Sequence, residues 1–319
     1  MRKILLKQIN KEVSVLGLGT MIFSPKKKDL AFSLMDTFIE GGGNLIDTAE
    51  VYGVPEEHGY SEEIIGMWLK DRNNREDIII QTKGCIPGTC KPIHPPDGID
   101  ISPTGIKRAI EGSLKRLKID YIDIWMLHGD DPSVTVDILV DVLNDEIEKG
   151  NILSYGVSNW NINRIQEGID YARKNNLKEI IVSSPHFSLA VAKEPYWPNA
   201  IVTREKELNW HRKTQLPLVA WSSQGRGFFS YGDPNNTKDE NLVRVYYSDE
   251  NFERLNRAKE LANKKGAKAI EIALAYVINQ DFPSVALAGP ASIVEVNSCI
   301  KGANLVLSND EVKWLNLLK

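Results

Sequence analysis

Four side chains in the first half of the chain form an acid–base set by type and by position: Asp47, Tyr52, Lys83 and His128. Asp47 closes the short apolar run 44–47 and Tyr52 follows it, Lys83 follows the run 78–82, and His128 ends the run IDIWML. A free phenol has a pKa of about 10, too high for an efficient proton donor at neutral pH unless a cation stabilises its phenolate. Lys83 carries that charge. In a dry site a lysine sheds its proton more readily, and Asp47 opposes this by pairing with it. His128 can hydrogen-bond a carbonyl and polarise it, or pass on a proton. Such a set supports delivery of hydride to a carbonyl carbon while Tyr52 protonates the developing alkoxide. Taken singly, the aspartate reads as a loop cap, the tyrosine as an amphipathic boundary residue and the lysine as an exposed charge. Their co-occurrence at consecutive strand ends favours the chemical reading.

The elements that would position these groups follow from the rhythm of apolar residues. Short β-type runs occur at 13–18, 44–47, 78–82, 121–127, 153–157, 179–183, 217–221 and 284–288. Most are continuously apolar, as buried parallel strands are. Helical periodicity lies between them. Ile106, Ala109, Ile110, Ser113, Leu114 and Leu117 form one stripe behind Ser102-Pro103, an N-cap with proline at the first helical position. A second helix is expected over 134–149, with Ile138, Val142, Leu143 and Ile147 inward and Gly150 as its stop, and a third over 29–40, ending in Gly41-Gly42-Gly43. Eight strands alternating with helices, without a linker, predict an α/β fold of the (β/α)8 TIM-barrel type, one domain over residues 1–319. Residues 3–8 are expected to pair with 12–15 as a hairpin closing the barrel floor. The segment 231–251 lacks periodicity and reads as a long functional loop on the catalytic face, a gate for cofactor release.

No GxGxxG is present: Gly17-Leu18-Gly19 has no third glycine at the required spacing, and Gly225-Arg226-Gly227 is followed by two phenylalanines. A Rossmann domain is unsupported, so any dinucleotide must be held another way. The composition, 42% hydrophobic and 26% charged with a net charge of −4, is that of a soluble globular protein and offers no basic face for nucleic acid. No apolar run approaches the roughly 20 residues that span a bilayer, and Lys7 and Gln8 interrupt the N-terminal run before a signal-peptide core could form. A cytoplasmic location is expected. Three cysteines are too few for a disulfide framework. Cys85, Cys90 and His94 have zinc-ligand types at C-x4-C-x3-H, but a fourth ligand is not evident nearby, and a long loop is the plainer reading.

The blocks LGLGTM, GGGNLIDTAEVYG, SEEIIGMWL, IIIQTKG, SLKRLKIDYIDIWMLH and YGVSNW, in this order, resemble the aldo-keto reductase superfamily from about residue 15 to residue 299. The resemblance implies a catalytic tetrad at Asp47, Tyr52, Lys83 and His128, and an ordered cycle with NADP or NAD bound in an extended pose. It places Gly19, Thr20, Met21 and Asp47 beside the cofactor. Ser158 and Asn159 match the family's carboxamide-binding pair, with Ser184 where many members carry glutamine, and Trp221 where an aromatic ring stacks on the nicotinamide. Ser222, Gln224, Gly225 and Arg226 fall in the pyrophosphate segment. NADP-preferring relatives set a lysine and an arginine against the 2′-phosphate. This chain has Gly289 and Glu295 there, with Ser292 and Cys299 nearby. A carboxylate repels a phosphate and accepts a hydrogen bond from a free ribose hydroxyl, so dual or NAD-leaning use is expected.

Met21, Phe23, Trp160, Phe187, Tyr196 and Trp197 are expected to form an aromatic wall over Tyr52 and His128, suited to a sugar or aryl carbonyl. Two other readings keep the barrel. One is a lyase with a Schiff base on Lys83, in which Asp47 and Tyr52 have no natural place. The other is a cofactor-binding regulatory or redox-sensing subunit, against which the intact tetrad speaks.

Overall fold

The computed structural model describes residues 1–53, 59–86 and 101–318. Within them eight parallel strands close into a barrel: β3 (Leu16–Gly19), β4 (Leu45–Asp47), β5 (Ile79–Gly84), β6 (Ile124–Leu127), β7 (Tyr155–Ser158), β8 (Ser183–Ser184), β9 (Leu218–Ala220) and β10 (Ser284–Ala288), the last pairing with β3. The barrel follows from the two-residue period of a strand applied to runs that are apolar on both faces. Leu45, Ile79, Ile124, Met126, Val182, Val219, Val285 and Leu287 point inward and fill it. Their neighbours Ile46, Ile80, Trp125, Leu127, Tyr155, Val157, Ala220 and Ala286 face the surrounding helices. Two inward positions need glycine for space. A Cβ on Gly17 would stand 2.6 Å from Leu287, and one on Gly156 would stand 2.5 Å from Val182.

β1 (Lys3–Leu6) and β2 (Lys11–Ser14) pair antiparallel from Lys3 opposite Ser14 to Leu6 opposite Lys11. Leu6 and Val13 join the inner cluster, so the hairpin closes the floor as expected. The run 13–18 is divided between β2 and β3. The outer layer has α1 (Lys28–Glu40), α2 (Tyr60–Arg72), α3 (Pro103–Leu117), α4 (Val136–Glu148), α5 (Ile162–Lys174) and α6 (Glu205–Thr214). It continues with α7 (Phe228–Tyr231), α8 (Glu240–Tyr246), α9 (Asp249–Lys265), α10 (Ala269–Ile278), α11 (Ile293–Ala303) and α12 (Asn309–Leu315). No helix among the described residues is long and apolar enough to cross a membrane.

Three expectations need correction. The run 179–183 contributes only Ser183 to the named strand, which continues to Ser184, although Ile181 still donates its backbone N–H to the Tyr155 carbonyl. In α4 the inward face is set by Leu139, Val140, Val142 and Leu143, while Ile138 is exposed. The segment 231–251 is not one long loop. It contains α8 and the start of α9, capped by Asp239 and Ser248, whose side chains accept from the N–H groups of Leu242 and Asn251. A two-turn helix is too short to show periodicity against charged neighbours, so the aperiodic stretch on this face shrinks to 232–239.

One buried carboxylate ties the floor to the barrel wall. Asp123 accepts from Lys11 Nζ at 2.5 Å, Arg75 Nη2 at 2.8 Å and the Ile80 N–H at 2.9 Å. These partners come from β2, from the turn before β5 and from β5 itself. Asp123→Ala would leave two partly buried cations without their counter-ion. It should lower unfolding free energy by about 3–5 kcal/mol, as one-sided removal from a buried pair does. Urea titration would report this as a lower midpoint at unchanged slope; a loss below 1 kcal/mol would contradict it.

Candidate active site

The same alternation sets the chemistry of the mouth. The inward-facing position at the C-terminal end of each strand, or one residue past it, is, taken around the barrel from β3, Gly19, Asp47, Lys83, His128, Ser158, Ser184, Trp221 and Gly289. One side of this ring is therefore an ionic and hydrogen-bonding set, and the other is small, hydroxylated or aromatic. Catalytic groups of this fold class gather at the C-terminal strand ends.

On the ionic side, Lys83 Nζ donates to Asp47 Oδ1 at 2.6 Å and to the Thr48 carbonyl at 2.9 Å, and lies 5.1 Å from the centre of the Tyr52 ring. Asp47 and Lys83 are both buried. Burial alone would lower the Lys83 pKa, but Asp47 and then the Tyr52 oxygen more than offset it, so the ammonium is held above its ordinary value. Tyr52 moves the other way from the simplest expectation. Burial pushes its hydroxyl up and Lys83 pulls it back only in part, with Asp47 opposing Lys83. The phenol thus stays protonated, and the cation limits the penalty of ionising it. The His128 ring meets Tyr52 edge-on at 5.9 Å. Burial, and then the Lys83 charge, lower the His128 pKa to about 3. It is a neutral imidazole whose Nδ1 has no protein partner among the described residues.

The turn that carries Tyr52 is fastened to β5. The Glu50 N–H donates to the Lys83 carbonyl at 2.9 Å, while Glu50 Oε1 accepts from the Cys85 N–H at 2.8 Å. Ser61, at the start of α2, bonds the hydroxyls of Thr20 at 2.6 Å and Thr48 at 2.9 Å. Beneath Lys83, Gln81 Nε2 donates to Asp47 Oδ1 at 2.6 Å. Thr48, Glu50, Ser61 and Gln81 were not among the residues expected to matter. The available signal for Gln81 was a polar residue interrupting IIIQTK two positions before the lysine, which strand periodicity places on the same face.

On the other side, Ser158 Oγ donates to the Ser184 carbonyl at 3.0 Å and accepts from Asn159 Nδ2 at 3.1 Å. Asn159 takes a left-handed conformation, φ 59°, and its Oδ1 accepts from the Ile201 N–H at 3.3 Å. Ser184 Oγ and Trp221 Nε1 are buried with no partner among the described residues. Trp221 stacks on His186 at 4.7 Å, and His186 Nε2 meets the Tyr246 hydroxyl at 2.8 Å. The turn after β9 has positive φ at Ser222, Gly225, Arg226 and Gly227, the kind of turn whose successive N–H groups can converge on an anion. Arg226 is exposed and lies 4.1 Å from the Tyr196 ring centre and 5.3 Å from that of Trp197.

Gln224 Oε1 accepts from the buried Cys299 thiol at 3.6 Å, and burial, then the Glu295 charge, raise that thiol to about 12. Ser292 caps α11 by accepting from the Glu295 N–H, while the exposed Glu295 carboxylate accepts from the Ala291 N–H at 2.7 Å. Between Gly289 and Ile300 there is no basic residue.

The expected aromatic wall is smaller than the sequence suggested. Phe23, Trp160 and Phe187 are buried in the packing between barrel and helices. Trp160 Nε1 donates to the Gly129 carbonyl at 2.9 Å, and Phe187 packs on Tyr276 at 5.8 Å. Rings of this size at strand ends seal the core when adjacent loops cover them. Half-buried Tyr196 and Trp197 remain, Trp197 lying 5.3 Å from Trp221, and Met21 is exposed. A cavity of about 300 Å³ between the start of α5 and residues 195–204 includes Asn161, Ile162 and Ile201 in its lining but none of the four acid–base residues. Cys85 is buried, whereas Cys90 and His94 lie outside the described residues.

Residues 15–318 match the model of the aldo/keto reductase family. Among relatives in sequence, norsolorinic acid reductase B of Dothistroma septosporum is 28% identical over 318 residues, 94% of this chain and 77% of that protein. Protein tas of Escherichia coli is 28% identical over 332 residues, 94% of this chain and 92% of the relative. In structure the chain is similar to a thermostable aldo-keto reductase solved with the inhibitor epalrestat, with a TM-score of 0.76 at 24% identity and full coverage of both chains. It is also similar to an aldo/keto reductase from Klebsiella pneumoniae solved with NADP and acetate, with a TM-score of 0.70 at 22% identity, covering 100% of this chain and 95% of that one. These two structural likenesses speak for the fold.

The histidines generate a pH signature. Burial is the first cause that lowers His128 to about 3, and His186 and His211 to about 4. In each case the folded pKa is depressed below the ordinary imidazole value of 6.5, so the unfolded chain binds more protons below that pH. Their contribution to stability is intact above about pH 6.5 and is lost as the pH falls toward 4. The urea midpoint should already decline between pH 6.5 and 5, before most carboxylates titrate, and a midpoint flat over that interval would contradict the assignment.

Proposed function

The chain belongs to the aldo/keto reductase family, and on that premise we propose that it is an NAD(P)-dependent reductase of small carbonyl compounds in which Tyr52 is the proton donor. The observation that carries this reading is the convergence on one buried ammonium: Lys83 is held by Asp47 at 2.6 Å and faces Tyr52.

The residues of the mouth fit a nicotinamide dinucleotide. Ser184 Oγ and Trp221 Nε1 are buried polar atoms without partners among the described residues, as a surface awaiting a polar ligand would have, and Asn159 and Ser158 adjoin Ser184 in the mouth. Asn159, Ser158 and Ser184 would hold the carboxamide, the Trp221 ring would pack on the nicotinamide, and the Ser222–Gly227 turn would take the pyrophosphate. The bound cofactor supplies the hydride.

The chain's own groups do the rest. Neutral His128 donates a hydrogen bond to the carbonyl oxygen and orients the carbon. An imidazolium there would repel Lys83, and the pKa of about 3 excludes it at working pH. As negative charge gathers on the oxygen, Tyr52 transfers its proton to an alkoxide far more basic than a phenolate. Lys83 stabilises the phenolate that forms, an interaction stronger in the transition state than in the ground state. Asp47 keeps Lys83 charged. The same pairing disfavours a Schiff base, which requires a neutral amine.

Glu295 supports dual or NAD-leaning use of the cofactor, since its exposed carboxylate occupies the first turn of α11 and no lysine or arginine stands between positions 289 and 300. Tyr196 and Trp197 beside Trp221 favour a planar aryl carbonyl over a sugar, because flat rings bury their faces against such a wall.

Tyr52→Phe should lower kcat by about 10²–10⁴-fold, the span of a general acid. NADPH and NADH binding, read by tryptophan quenching, should stay within a few-fold of the parent. Undiminished turnover would remove Tyr52 from the proposed role. Glu295→Lys should raise the NADPH to NADH affinity ratio by about tenfold, the order expected for exchanging one repulsive charge for an attractive one near a phosphate. An unchanged ratio, or a parent that already binds NADPH far more tightly, would show that Glu295 does not set the preference.

A further inference from the structure

We propose that Gln81 is a positioning residue for proton transfer: its side-chain amide shares Asp47 with Lys83, leaving part of the lysine's charge and one of its protons for Tyr52. The inference rests on the reading of Tyr52 as proton donor and deepens it.

Three observations carry it. Gln81 Nε2 and Lys83 Nζ both donate to the same oxygen, Asp47 Oδ1, each at 2.6 Å. Residues 81 and 83 point to the same side of β5, and Asp47 is the direct cross-strand neighbour of Gln81. The amide therefore reaches the carboxylate from below as the ammonium reaches it from above. Secondly, on every other strand the inward position one step below the ring is glycine, aliphatic or methionine, for example Leu45, Met126 and Val219. Gln81 is the single polar side chain at that level.

Thirdly, the residue is not there for packing. Gln81 is fully buried and its Oε1 has no partner among the described residues. An unsatisfied buried acceptor destabilises a fold, and an apolar side chain of the same shape would suit the barrel interior better. A residue that weakens the core yet grips a proposed catalytic carboxylate at short range is better explained by what it does to that carboxylate.

The physical consequence has a definite sign. With two donors on Oδ1, the Asp47 charge is divided between an amide and an ammonium. Without the amide, the desolvated carboxylate would draw Lys83 more strongly. Less positive potential would then reach Tyr52, and the phenol, already raised by burial, would become a weaker acid.

The test uses Gln81→Met, which keeps length without a donor, and Gln81→Glu, which donates only when its carboxyl is protonated. Gln81→Met should remain folded at the assay temperature while kcat for carbonyl reduction falls about tenfold, as expected for losing a hydrogen bond to a charged group. KM and cofactor affinity should stay within about twofold, and the alkaline limb of the kcat profile should move to higher pH. Gln81→Glu should recover toward the parent rate as the pH falls, whereas the methionine variant keeps a constant deficit over the same range. Wild-type kcat in Gln81→Met, or a lowered melting temperature in which activity loss tracks the unfolded fraction, would overturn the proposal. Tyr52→Phe measured alongside separates the two levels. If it remains active, the reading of the site falls; if it is inactive while Gln81→Met is fully active, only the role of Gln81 falls.

Discussion

The buried pair of Lys83 and Asp47 is the constraint on which the rest of the mouth depends. Taking both charges out of water carries a desolvation penalty that their mutual attraction repays only with near-ideal geometry and further hydrogen bonds. The barrel supplies both. Strand register brings Asp47 and β5 side by side, and the Thr48 carbonyl and the Gln81 amide complete the shell at 2.9 and 2.6 Å. Such a pair is a poor source of stability, since apolar residues would fill the same space more cheaply. Its value lies in holding a full positive charge at a fixed point inside a low-dielectric wall, where it acts on a neighbouring phenol far more strongly than it would in water.

Fixing the charge is useful only if Tyr52 is equally fixed, and Tyr52 stands on a turn. The structure answers by fastening that turn at several points. Glu50 grips β5 through its backbone N–H and its carboxylate, and Ser61 links α2 to Thr20 and Thr48. On the outer side of β5, Thr82 donates to Glu62 at 2.6 Å, and Glu62 also accepts from Arg116 at 2.6 Å. Alternate residues of one strand thus face two networks: Gln81 and Lys83 serve the mouth while Thr82 anchors the helical layer. A displacement of α2 or α3 would be felt at Tyr52 through these few bonds.

The legibility of this arrangement in the sequence follows from the same division. Strands buried on both faces are continuous apolar runs, so 44–47, 78–82 and 284–288 were recognisable, and the polar residues that end such runs stood out as Asp47, Lys83 and His128. The short ladder of β8 was not legible, because how far pairing extends depends on neighbouring strands. The two turns of α8 were hidden by charges. Gln81 was visible as a polar interruption, but its meaning required knowing that Asp47 lies opposite it. Phe23, Trp160 and Phe187 illustrate the opposite error, since an aromatic beside a strand end has the same appearance in sequence whether it lines a mouth or seals the core beneath it.

Two opposing influences set the acidity of Tyr52, the Lys83 charge and burial. A phenol needs a nearby cation to become a usable acid at neutral pH, and Lys83 acts in that sense. Burial outweighs it, so the resting phenol is less acidic than in water, not more. The two statements are compatible because a general acid is judged by the charge state it reaches, not by the one it leaves. A hydroxyl kept firmly protonated at rest is always ready to donate, and the ammonium beside it lowers the energy of the phenolate only as that charge forms. In the role proposed for Tyr52, this arrangement would place stabilisation in the transition state and withhold it from the ground state, which is the condition for binding energy to raise kcat.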